Sequence, residues 1–205
     1  MQLGYAESYA RPGGNVTGVA ILGAELDAKR LDLLHEAVPG AKSIAVLYPG
    51  FTAGRAASES ALRALAAARG LELVIVAAAF PEDYPAAFEA MRAAGVQALV
   101  ISAGPQFDRD AAVLAALAAA ALLPTVCQWA RMARAGCLVG YGPDATALRL
   151  RLAHQVTRVF RGVSPGELPI ETPTRFEFAI NARAARALGI LIPPALLARA
   201  DEVIE

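Results

Sequence analysis

SIAVLYPG, residues 43–50, is an apolar run of strand length closed by Pro49-Gly50. A strand with one face in solvent alternates apolar and polar side chains, whereas a strand covered on both faces reads as a continuous apolar run. Sheets covered on both faces are mostly parallel, so this run predicts an inner strand of a parallel sheet. The neighbouring sequence supplies the covering. Residues 25–38 carry Leu26, Leu31, Leu33, Leu34 and Val38 among Asp27, Lys29, Arg30 and Asp32, an amphipathic helix stopped by Pro39-Gly40. Residues 53–69, built of alanine, leucine and arginine and ended by Gly70, form a second helix, and residues 71–77 the next strand.

The same unit then repeats. Residues 81–94 are a helix ended by Gly95, 96–102 a strand, 108–122 a helix and 124–129 a strand. Right-handed crossovers between such units place helices on both faces of a mostly parallel sheet, a doubly wound α/β domain. The ends fit less regularly. Residues 11–22 give a loop and a strand preceded only by a short helical segment at 4–9. After GYGPD (140–144) come a helix over 145–161, a Pro/Gly-rich loop, a strand over 174–180, a helix over 182–188 and closing helical turns opened by Pro193-Pro194.

The bulk composition narrows the function. The chain has 205 residues, 56% of them hydrophobic, and a formal net charge of zero, enough for one large domain or one and a half small ones. Without a basic run or a net field, nucleic acid is not an expected partner. The longest apolar stretch, 111–126, is shorter than a bilayer span and reads as a buried helix running into a strand. No secretory signal pattern follows Met1, so the chain as written is expected to stay in the cytoplasm. Cys127 and Cys137 lie outside any C-x-x-C and are expected to be two buried free thiols.

Catalytic patterns are missing where a doubly wound sheet would place them. No G-x-G-x-x-G, phosphate-binding loop or G-x-S-x-G occurs, and His35 and His154 fall inside separate predicted helices, which leaves no metal, cofactor or catalytic set. Glu82 and Asp83 suit a helix start, as do Asp108 and Asp110. Arg131 and Arg134 follow the fourth strand and are expected on the surface. The strand ends instead carry Tyr48, Thr52, Ser102, Gln128 and Trp129, with Tyr141 near by. Such rings and hydroxyls, with backbone N–H groups, hold a small ligand without chemistry.

RPGGNVTG (11–18), ELDAKRLDLLHEAVPGAKSIAVLYPG (25–50), GYGPD (140–144) and the ending from LPIETPTRFEFAIN to IPPALLARADEVIE (168–205) together resemble the substrate-binding proteins of ABC transporters, in the group with tryptophan- and tyrosine-binding members. The resemblance runs through the whole chain in order. It implies a type I periplasmic-binding-protein fold, Rossmann-like in each lobe, which binds a small amino-acid-like or aromatic solute, passes it to a membrane permease and catalyses nothing. It implies that 1–23 are a remnant of the N-terminal lobe, 24–143 the C-terminal lobe, 144–168 a helix returning to the first lobe, and 169–205 the return to the second, with the crossing near Pro169–Pro173.

Members of the family are periplasmic and begin with a signal segment and a longer N-terminal lobe than precedes residue 24 here. The expectation is therefore an N-terminally truncated relative with weak ligand affinity, self-associating through its exposed first-lobe remnants. The binding positions carried over are Tyr48, Thr52 and Gly54 after the first strand, Ser102 and Gly104 after the third, Gln128 and Trp129 after the fourth, and Tyr141 and Gly142. Where the family often has Asn-Pro, this chain has Tyr48-Pro49. The alternative expectation is a ligand-sensing regulatory domain of the same fold, although no helix-turn-helix is present. An enzyme on this sheet would lack acid, base and nucleophile at the strand ends.

Overall fold

All six residues of Ser43–Tyr48 are buried, which is what a strand covered on both faces requires. The computed structural model describes residues 4–50 and 55–205. Thr52, Gly54 and the expected helix start at Ala53 lie outside the described residues. Two compact units are present. One comprises Met1–Leu22 with Pro143–Phe176, the other Gly23–Gly142 with Glu177–Glu205.

The second unit is the α/β domain. Its elements in chain order are α1 (Gly23–Ala37), β1 (Ser43–Tyr48), α2 (Arg55–Ala68), β2 (Glu72–Ala77), α3 (Tyr84–Ala93), β3 (Ala98–Ile101), α4 (Pro105–Arg109), α5 (Ala111–Ala120), β4 (Thr125–Cys127), α6 (Ala130–Ala135) and β5 (Val139–Pro143). After α7 (Ala145–Phe160) in the first unit come β6 (Phe176–Asn181), α8 (Ala182–Ala187), α9 (Pro194–Leu197) and β7 (Glu202–Ile204). The strands form one sheet in the order β2-β1-β3-β4-β5-β6-β7. β1 runs parallel to β2 and β3, β3 to β4, and β4 to β5. The sheet has two covered faces. Leu31 and Leu34 of α1 and Leu62 and Ala66 of α2 pack on Ile44, Val46 and Val100, while Tyr84, Phe88 and Met91 of α3 and Leu114 of α5 pack on Leu47, Leu99 and Ile101.

The structure meets some sequence expectations and alters others. The apolar run at 111–126 is a helix leading into β4, and none of the helices among the described residues is long and apolar enough to cross a membrane. The single helix expected over 108–122 is two helices, α4 and α5, joined at Asp110. α6, β5 and β7, short elements without a long periodic signal, were not expected as separate elements. Residues 4–9 form bends without a helix, and residues 11–22 contribute only an isolated bridge, Val19 with Glu171.

The cysteines also differ. Cys127 and Cys137 are joined in a disulfide, with Cα atoms 6.3 Å apart. Spacing alone did not show that β4 and the entry to β5 lie side by side, which brings the two within bonding reach. The crosslink spans a sequence separation of 10 residues, and closing a loop of that size removes about 3 kcal/mol of freedom from the unfolded chain in the loop-entropy model.

In the first unit, α7 is N-capped by Asp144, whose carboxylate accepts from the N–H groups of Thr146 and Ala147. Gln155 is the buried side chain of α7, and its amide donates to the Pro169 carbonyl and to Glu171. Arg151 donates to the same Glu171 carboxylate at 2.6 Å. Residues 169–171 are therefore fastened to α7 and also pair with Gly18 and Ala20. The division between the units falls after Phe176. One side of α7 is left bare, with Leu152, Val156, Val159 and Phe160 all exposed.

Candidate ligand-binding site

Ligands of an open parallel sheet bind at the carboxyl ends of its strands. Which side chains meet there follows from the two-residue alternation of a strand. Ile44, Val46 and Tyr48 of β1, Ala98 and Val100 of β3, and Val126 of β4 face the core beneath α1 and α2. The alternation carries Ser102 and Gln128 to that side. Leu47, Ile101 and Cys127 face the other way, and Trp129 packs with them.

α1 meets Ser102 and Gln128 with two opposite charges. Asp27 and Arg30, one helical turn apart, are 3% and 0% exposed. Arg30 Nη1 donates to Asp27 Oδ1 at 2.7 Å, and Ser102 Oγ donates to Asp27 Oδ2 at 2.5 Å. The rest of the guanidinium holds main chain, with Nη2 on the Gln128 carbonyl at 3.1 Å and Nε on the Tyr141 carbonyl at 2.9 Å. One arginine thus ties α1 to the ends of β4 and β5, and its carboxylate partner ties it to β3. Burial raises the Asp27 carboxyl above its ordinary value and lowers the Arg30 guanidinium, because both charges have lost water. Their mutual attraction and the Ser102 hydrogen bond act in the opposite direction.

The other polar strand ends are also committed to protein partners. The Gln128 amide pairs reciprocally with Gly104, donating to its carbonyl at 2.7 Å and accepting from its N–H at 3.0 Å. Gly104 leaves room for Pro49, since a Cβ built there would lie 2.8 Å from the proline Cβ. Gly142 is tighter, because its Cβ would lie 2.0 Å from the Gln128 carbonyl oxygen. Tyr48 is buried in the α1-side core. Tyr141 is half-buried and meets Phe178 edge-on at 6.3 Å, and burial raises its phenol. Of the nine positions expected to form the site, hydrogen bonds through Asp27 and Arg30 join Ser102, Gly104, Gln128 and Tyr141 into one cluster, Gly142 lies against the Gln128 carbonyl and beside the Trp129 ring, and Trp129 packs with the core on the other face of the sheet.

Trp129 is half-buried, and the Arg131 guanidinium lies over its ring, 4.9 Å from the centroid. Arg131 also pairs with the carboxylate of Asp108 on α4. Arg134, the other arginine after β4, forms two hydrogen bonds to Glu202 of β7. Asp110 accepts from Tyr84 and Arg109, and Asp83 accepts from the N–H groups of Ala79 and Phe80 at a helix start. Among the described residues no group of three His, Cys, Asp or Glu is arranged to hold a metal ion. The sequence reading missed Asp27 and Arg30 because they passed as the polar face of α1. The available signal was their register with Leu31 and Leu34, which puts two opposite charges on the apolar stripe.

A family model described as ABC transporter substrate binding protein matches residues 3–204. No curated protein matches the chain. A conserved domain protein from Vibrio cholerae is similar in structure, with TM-score 0.87 and 27% identity, covering 97% of this chain and 66% of its own. The ABC domain in complex with L-Trp from Streptococcus pneumonia has TM-score 0.86 and 22% identity, over 100% of this chain and 70% of that one. A substrate-binding protein with adhesive properties from Clostridium difficile, in a ligand-free, open structure, has TM-score 0.66 and 19% identity, over 98% and 66%. This chain thus spans about two thirds of the length of these relatives.

Proposed function

Since the chain belongs to the ABC transporter substrate-binding protein family, we propose that it binds a small aromatic or amino-acid-like solute for import through a membrane permease, without catalysis. The observation that carries this reading is the family match over residues 3–204. The complex of a similar fold with L-Trp supports an aromatic amino acid as the solute class. We place the site at the carboxyl edge of the sheet, with Trp129 and Tyr141 as direct contacts. Thr52 and Gly54 belong to the same edge on this reading, and Tyr48, Ser102, Gly104, Gln128 and Gly142 frame it. An extracytoplasmic location goes with the family, and the Cys127–Cys137 disulfide favours an oxidising compartment.

Self-association belongs to the same proposal. Leu152, Val156, Val159 and Phe160 line a groove of about 270 Å³ with Thr17 and Gly18, and its lining carries no charge. Such a groove suits the apolar face of a second copy better than a charged solute.

A thermal-shift screen against the common amino acids and aromatic acids tests solute binding. A true ligand at a hundred times its dissociation constant stabilises the protein by about 2.7 kcal/mol. Trp129 is the only tryptophan, so a non-fluorescent hit should also change its emission. Absence of a shift with every compound sinks the proposal.

A further inference from the structure

We infer that Asp108 and Arg131 are a pair that reads the zwitterion of a free amino acid, Asp108 taking the ammonium and Arg131 the carboxylate beside the Trp129 ring. The inference rests on the solute-binding reading above and deepens it by naming the residues that recognise the solute's charges. Asp108 lies on α4 and Arg131 on α6, the helices that leave the carboxyl ends of the adjacent strands β3 and β4. The pair therefore stands where a doubly wound sheet receives its ligand.

Its exposure separates it from the other ion pair at this edge. The Arg131 and Asp108 side chains are 37% and 30% exposed, whereas those of Arg30 and Asp27 are 1% and 5% exposed. The inner pair is sealed and holds main chain, while the outer pair is open to a solute. It also has unused hydrogen-bonding capacity. Asp108 Oδ2 receives Arg131 Nη2, and among the described residues Asp108 Oδ1 and Arg131 Nε and Nη1 have no hydrogen-bond partner. A carboxylate oxygen beside free guanidinium N–H groups matches the ammonium and carboxylate carried on one α-carbon.

The tryptophan adds orientation. The Trp129 ring beneath the guanidinium carbon holds Arg131 in place by cation–π attraction, and the ring is an apolar neighbour for an aromatic side chain. A part-exposed ion pair is weakly held, so sharing it with ligand charges costs little.

The test is calorimetric titration of the full 205-residue chain with L-tryptophan, tryptamine, which lacks the carboxylate, and indole-3-propionate, which lacks the ammonium. Wild type should favour L-tryptophan over either analogue by about tenfold or more, the size of one charge-assisted hydrogen bond. Asp108→Asn should weaken L-tryptophan and tryptamine and leave indole-3-propionate unchanged. Arg131→Gln should weaken L-tryptophan and indole-3-propionate and leave tryptamine unchanged, and Arg131→Lys should restore part of the loss. Unfolding midpoints equal to wild type show that the variants fold. If both variants bind L-tryptophan like wild type, or lose all three ligands equally, the zwitterion assignment is wrong and solute binding stands. If wild type binds none of the three probes, the assignment is overturned as well, and the broader screen decides whether solute binding survives.

Discussion

Arg30→Ala should destabilise the protein by about 3–5 kcal/mol, because it leaves the Asp27 carboxylate buried without its cation. Two main-chain carbonyls, those of Gln128 and Tyr141, lose their donor in the same step. Arg30→Lys should recover only part of the loss, since an ammonium is a point charge and cannot span Asp27, Gln128 and Tyr141 as the planar guanidinium does. Replacing both charges, as in Asp27→Leu with Arg30→Met, should cost much less than Arg30→Ala. Removing water from both ions already opposes the charged pair, and a pair of apolar residues has no such penalty. Urea unfolding of the three variants gives the ranking. A double variant as unstable as Arg30→Ala would mean that the bonds to the strand ends matter more than the unpaired charge.

Gly142→Ala should cost about 3 kcal/mol or more, the upper end for overpacking, because its Cβ would meet the Gln128 main-chain oxygen at 2.0 Å. Backbone cannot swing aside as a side chain can. β5 would have to move from β4, which strains the Arg30 bonds to the Gln128 and Tyr141 carbonyls as well. Gly104→Ala, whose Cβ would press on the Pro49 ring at 2.8 Å, should cost less, about 1–3 kcal/mol. Thermal unfolding midpoints compare the two. A Gly142→Ala variant as stable as wild type would show that β5 shifts freely, and equal losses in the two would show that the Gln128 main chain yields as readily as the Pro49 ring.

Both predictions concern residues whose importance is not visible in local sequence. The sequence places Gly142 near a ligand, and in the structure it also lies against the Gln128 carbonyl. The sequence offers Ser102 and Gln128 to a solute, and in the structure both also bond to protein groups. Polar residues at a strand end look the same in sequence whether they face a ligand or a buried charge. The outer pair was equally hidden, since Asp108 suited a helix start and Arg131 a surface.

The architecture is legible in the amino-acid sequence, in the unbroken run of β1, the amphipathic repeat of α1 and the Pro/Gly stops between them. These are local features, set by hydropathy and backbone preference over a few residues. The contacts of Asp27 with Ser102, of Arg30 with residues 128 and 141, and of Cys127 with Cys137 come from the packing of distant segments. Those partners stand 75, 98, 111 and 10 positions apart, and they meet because parallel crossovers bring strand ends together. A hydropathy period reports which face a side chain takes, and the polar partner waiting on that face comes from another strand.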